Sequence, residues 1–198
     1  MKKLLTTIPF CLLIIVANSQ DFTASLKTAK SSYAAGKLED AHFALQQMMS
    51  ELDVIIGKEV LKLLPPKMDA LTSNAAEDNV TGNISFVGAT IHRTYGSGDK
   101  KAELDIINNS PLIGTLNMFI SSPLSGFMKD DKTKIIKVQG YKARLTKEEG
   151  SDAGKTEFKL EMPFSNALVT YKINNSSESE IVSMVNSIPF DKIAKLIQ

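Results

Sequence analysis

His42 and His92 are the only histidines of this sequence, and Cys11 is its only thiol. A serine nucleophile needs a base within reach and an acid to orient that base. His42 falls in a helix-forming stretch and His92 in an alternating, strand-like run. His92 lies on the opposite strand face from Ile91, which reads as a solvated or edge histidine. No Gly-x-Ser-x-Gly elbow surrounds any serine, and Gly96-Ser97-Gly98 reads as a turn. Two widely separated histidines without a His-x-x-x-His pattern give no zinc ligand set. Glu148-Glu149 and Ser151-Asp152 sit between Lys147 and Lys155 and lack the alternating oxygen ligands of a calcium loop. Met48-Met49 has core spacing on a helix rather than the pattern of a copper site. No glycine loop cradles a phosphate, and no dinucleotide fingerprint is present. The sequence therefore predicts no catalytic residue, no metal and no cofactor. An enzyme would require acids and lysines that meet only on folding, such as Glu103 or Asp105 with Lys101.

The segment most suggestive of binding runs from Ser110 to Met128. It carries no charge and is dense in Leu112, Ile113, Leu116, Met118, Phe119, Ile120, Leu124, Phe127 and Met128. Such a stretch beside a sheet either covers it or lines an apolar groove. In the second case Leu116, Phe119, Phe127 and Met128 are the expected ligand-binding residues.

The balance of charge narrows the partners. With 23 Lys+Arg against 22 Asp+Glu the net charge is +1, whereas a phosphate-neutralising protein carries a basic excess. Lys129 to Lys137 holds four lysines, but Asp130 and Asp131 interrupt them and no aromatic interleaves. Nucleic acid is thus not an expected partner. At 43% hydrophobic residues the chain has the material for a packed core.

Lys2 and Lys3 precede an apolar run from Leu4 to Val16, followed by Ala17-Asn18-Ser19. This is the charged, apolar and small-x-small order of a secretory signal, and it predicts cleavage near Ser19–Gln20. Cys11 lies inside the apolar run after Phe10, not behind the small residue that lipid attachment needs. Removing residues 1–19 takes away Lys2, Lys3 and the one cysteine. A disulfide-free exported protein of this size points to a periplasmic or extracellular location, held together by packing alone. Peripheral contact with a membrane is compatible with that location.

From Phe22 to Leu64 the residues favour helix, and Gly36 interrupts them. Leu45, Met48, Met49, Leu52, Ile55, Ile56, Val60 and Leu63 recur at three- and four-residue steps, which predicts one apolar helix face. Pro65-Pro66 ends the helix. The reading is an antiparallel hairpin over residues 20–71 whose apolar face is buried on the domain that follows. Tyr33 to Ala41 looks like the turn of a tetratricopeptide-type hairpin, in one copy only. Residues 72–81 read as a linker or exposed loop.

Beyond it the period changes to two. Ala89 to Tyr95 and Ala102 to Ile106 predict a hairpin, and Lys134–Val138, Tyr141–Leu145, Glu157–Met162 and Leu168–Ile173 predict four more strands. A short helix is expected from Pro111 to Ile120, with a second turn at 124–128. Ser177–Asn186 and Phe190–Ile197 have helical spacing. The predicted fold over residues 82–198 is α+β: an antiparallel sheet of about six strands backed by a C-terminal helix.

This order of segments is similar to the Mog1/PsbP-like α+β fold. It also resembles a group of uncharacterised exported bacterial proteins. The resemblance is carried by Gly36-Lys37-Leu38-Glu39-Asp40-Ala41, Leu63-Leu64-Pro65, Tyr95, Ile107 to Pro111, Val138 with Gly140, Tyr141 and Ala143, Leu168-Val169, and Ile188 to Ala194. It implies export and the fold, and lends no activity. The function expected from the whole is a non-enzymatic binding module for a partner protein or a lipophilic small molecule.

Overall fold

The computed structural model of the chain describes residues 17–82, 88–122, 132–149 and 156–197. The chain divides into two compact units, up to Glu51 and from Leu52 onward.

The first unit holds α1 (Ala17–Ala34) and the opening half of α2 (Leu38–Leu63). Gly36 takes φ +72° between them, the left-handed conformation that glycine adopts without strain. Glu39 and Asp40 occupy the first turn of α2, where carboxylates suit the positive end of the helix dipole. Ser25 and Ala29 of α1 and Ala41 and Ala44 of α2 are buried along the seam of the hairpin.

In the second unit β1 (Lys67–Met68) and β2 (Leu71–Thr72) form a miniature ladder, followed by a 3-10 turn at Ala75–Glu77. Then come β3 (Asn79–Thr81), β4 (Thr90–Ser97), β5 (Lys100–Asn108), α3 (Leu112–Ser121), β6 (Thr133–Val138), β7 (Tyr141–Glu149), β8 (Thr156–Phe164) and β9 (Ala167–Asn174). Helices α4 (Glu178–Asn186) and α5 (Phe190–Ala194) close the unit. The seven-stranded sheet has the order β3-β4-β5-β9-β8-β7-β6, every neighbouring pair antiparallel. The α+β class and the N-terminal hairpin are as the sequence predicts.

The alternating residues divide the sheet into two faces. Ile91, Leu104, Ile106, Ala143, Leu145, Leu160, Met162, Val169, Tyr171 and Ile173 point to one face and are buried there with Val60, Leu64, Ile181, Met184, Val185, Phe190 and Ile193. On that face Tyr141, Phe164 and Phe190 form an aromatic cluster, with centroids 5.0 Å apart for Tyr141–Phe164 and 4.9 Å for Phe164–Phe190. The last turns of α2 are pinned by Arg93, which donates to Asp78 at 2.9 and 2.6 Å and to the Leu64 carbonyl at 3.1 Å. Beside it the Tyr95 hydroxyl donates to the Pro65 carbonyl at 3.0 Å, and burial pushes its pKa up to about 12.

Three particulars differ from the sequence reading. The sheet has a seventh strand, β3, within the stretch read as linker or loop; only its central residue, Val80, packs on the core. The charged stretch from Lys147 is strand as far as Glu149, because β7 stays paired with β8 to Glu149↔Thr156. The apolar stripe of α2 is not one buried face: Val60 is buried and Ile56 and Leu63 pack on the core, while Leu45, Met49, Leu52 and Ile55 are exposed.

Candidate functional site

Of the four residues expected to line a groove, Phe127 and Met128 lie outside the described residues, as does the turn expected at 124–128. Helix α3 brings the other two to the second face of the sheet. Leu116, 5% exposed, and Ile120 are buried against Leu168, with Ile113, Phe119 and Ile135 packed around them. Phe119 is half-buried, and the Arg144 guanidinium carbon stands 5.4 Å from its ring centroid, a cation–π arrangement. Leu112 and Met118 face outward. The inner side of α3 is thus filled by sheet residues at Leu116 and capped by Arg144 at Phe119.

Past α3 this face turns polar, and strand register sets its order. His92 pairs with Asp105, Asp105 with Thr170, Thr170 with Glu161, and Glu161 with Arg144, a single row across five strands. His92 Nδ1 lies 2.7 Å from Asp105 Oδ1. Arg144 donates to Glu161 through Nε at 2.9 Å and through a second nitrogen, and Lys159 sits 3.0 Å from the other carboxylate oxygen. Burial raises the Glu161 pKa, but the hydrogen bonds from Lys159 and Arg144 outweigh it and hold the carboxyl below its usual range. Lys101 lies 3.4 Å from Glu77 and 3.7 Å from Glu103, while Asp105 is taken by His92. Lys101, Glu103 and Asp105 therefore do not converge on one point. The row is a mesh of paired charges that holds the strands in register. Among the described residues no hydroxyl hydrogen-bonds the His92 ring, and Asp105 is its side-chain partner there.

Among the described residues most of the exposed large apolar side chains lie on the helices of the hairpin. Ser25 Oγ donates to Glu51 Oε1 at 3.1 Å and fixes the antiparallel register of α1 against α2. With Ser25 and Ala29 facing Ala41 and Ala44, the 100° step per residue places Leu26 and Tyr33 of α1 on the same side as Leu38, Leu45 and Met49 of α2. All five are exposed, Tyr33 at 72%, Met49 at 66% and Leu38 at 64%. Lys30 and His42 border this side, and Lys37 stands at the tip. Neither Lys30, Lys37 nor His42 makes an ion pair among the described residues. Asp40 and Phe43 fall on the opposite side and Glu39 behind, so Lys30 and Lys37 are the cations beside the five apolar groups.

The sequence named Leu45 and Met49, but as core. Tyr33 and Leu38 entered that reading as parts of the hairpin turn and Leu26 only within the helix-forming stretch, although Leu26 and Tyr33 stand seven residues apart, as do Leu38 and Leu45. Among the described residues no group of three or more His, Cys, Asp or Glu is placed to hold a metal ion. No helix among them is long and apolar enough to cross a membrane. No family model matches the chain, and neither a curated protein nor a solved structure matches it significantly.

Proposed function

We propose that this chain is an exported, non-enzymatic binding module whose helical hairpin docks an amphipathic, acid-flanked helix of a partner protein. The observation that carries this reading is the gathering of Leu26, Tyr33, Leu38, Leu45 and Met49 on one exposed side. Exposed apolar groups gathered in this way mark interaction sites. Small residues along the seam let the two helix axes approach closely, with the exposed large side chains on either side of the line between them. A third helix docks on such a surface with anchors at i, i+3, i+4 and i+7.

Charge selects the partner. Lys30 and Lys37 reward acidic flanks and repel a second copy of the same surface, where the lysines would meet one another. Export rests on Lys2, Lys3, the run from Leu4 to Val16 and the Ala17-Asn18-Ser19 pattern.

A synthetic helical peptide with a leucine stripe and glutamate flanks, compared with its lysine-flanked twin, tests the reading. The acidic peptide binds the full chain at least about tenfold more tightly. Leu45→Glu abolishes that binding and Phe43→Glu leaves it unchanged. Equal affinity for both peptides, or equal loss in both variants, contradicts the proposal.

A further inference from the structure

A cavity of about 180 Å³ opens between the end of the sheet and the start of α4, lined by Lys132, Lys134, Leu145, Lys147, Phe158 and Glu178. Its floor is apolar, since Leu145 and Phe158 are both nearly buried and belong to the core of the second unit. Among the described residues its rim carries Lys132, Lys134 and Lys147 together with the carboxylate of Glu178. Strand pairing assembles the rim. Lys147 donates its backbone N–H to the Lys132 carbonyl at 2.7 Å, Lys134 pairs with Leu145, and Lys147 pairs with Phe158. The two-residue period then turns Lys134 and Lys147 to the same sheet face as Leu145 and Phe158, and Glu148 to the other. Glu178 Oε2 accepts from Lys134 Nζ at 2.7 Å, which leaves that ammonium partly neutralised. Lys147 has no ion pair among the described residues.

We infer that this cavity is a binding site for a small lipophilic carboxylate, its hydrocarbon body on Leu145 and Phe158 and its head among Lys132, Lys134 and Lys147. The volume decides the size of the body, because an apolar cavity of about 150 Å³ accommodates a benzene ring. One ring or a short acyl chain fits, and a long-chain lipid tail does not. The rim decides the charge of the head, since clustered ammonium groups at the mouth of a low-dielectric pocket favour an anion. Glu178 opposes the anion from the same rim and competes with it for Lys134. The site lies wholly in the second unit and is independent of the partner surface on the hairpin.

Titration of the full chain with hexanoate, benzoate, hexanol and acetate, followed by NMR of the Leu145 methyls and the Phe158 ring, tests the site. Hexanoate or benzoate saturates and shifts both residues, and whichever binds more tightly identifies the body as chain or ring. The better of the two binds about tenfold or more tightly than hexanol and than acetate, and it weakens with added salt. The double variant Lys132→Gln/Lys147→Gln loses about tenfold in affinity, and Glu178→Gln gains about threefold as Lys134 is released. These changes lie on exposed side chains, so the fold is expected to survive them. Hexanol binding as tightly as hexanoate removes the cationic rim from the account. Acetate binding as tightly removes the apolar floor. No saturable shift at Leu145 and Phe158 with either carboxylate overturns the proposal.

Discussion

The Ser25 hydroxyl hydrogen-bonds the Glu51 carboxylate at 3.1 Å across the hairpin, although the two lie 26 residues apart in the chain. This contact sets which residues of α1 face α2, and so puts Leu26 and Met49 on the same side of the pair. Neighbouring positions of α2 consequently have opposite sensitivities. Ala44 is 1% exposed at the seam, so Ala44→Leu wedges the helices apart and costs about 1–3 kcal/mol of hairpin stability. Leu45→Ser, one residue on, changes stability by about 0.5 kcal/mol or less. Hydrogen exchange of the α1 amides distinguishes the two, with protection lost in the first variant and kept in the second.

Gly57 sits in α2 where a helix former would ordinarily be better. Replacing a solvent-facing helical glycine by alanine stabilises by about 1 kcal/mol. Here a Cβ would meet Val80 Cγ1 at 2.6 Å and Ile91 Cγ1 at 3.2 Å. Both are stiff, β-branched residues on the strands beneath. Gly57→Ala is therefore expected to destabilise by about 1–2 kcal/mol, measured by urea unfolding; a gain in stability would show that β3 yields easily.

Arg93 answers for three acceptors at once, the two Asp78 oxygens and the Leu64 carbonyl. Its hydrogen bonds to Asp78 raise its pKa further despite the opposing effect of burial, so it stays charged in the folded protein. Arg93→Met strands the Asp78 carboxylate, and a loss of about 3 kcal/mol is expected. Arg93→Met/Asp78→Leu recovers a good part of it, because no lone buried charge remains. A double-mutant cycle by thermal or urea unfolding checks both numbers.

Glu161 makes stability pH-dependent in a defined direction. Its folded pKa lies below the unfolded value, since Lys159 and Arg144 together overcome the effect of burial. The contribution is fully present above the unfolded glutamate pKa of about 4.3 and is lost as pH falls through the lower folded value. Glu161→Gln is expected to lose stability at neutral pH, by about 1–3 kcal/mol, and to show a shallower decline on acidification. Unfolding midpoints measured across that acid range decide it; parallel declines in the two proteins would contradict the assignment.

The sheet was legible because most strands bury one face, so that Ala102, Leu104 and Ile106, or Phe158, Leu160 and Met162, alternate with charge. Strand β3 escaped because three residues offer no period, and its pairing comes from β4 rather than from its own sequence. The hairpin surface escaped for a different reason. Leu45 and Met49 continue the helical spacing of Ile56 and Val60, and nothing local marks where the cover over that spacing stops. The lysine-rimmed cavity joins residues up to 46 positions apart, through the β6–β7 ladder and the start of α4. The His92–Asp105 pair likewise arises from the β4–β5 register. Alternation showed which face His92 takes, but its partner depends on which residue the turn at Gly98 sets opposite.

The partner surface is tested most directly by a photo-crosslinking amino acid introduced singly at Tyr33, Leu45, Met49 and Phe43 in cells producing the full chain. The account predicts one common adduct from Tyr33, Leu45 and Met49, suppressed when Lys30 is changed to Glu, and none from Phe43. Adducts of equal yield at Phe43 and Leu45, an adduct with a second copy of the chain, or no adduct at any of the four would contradict it.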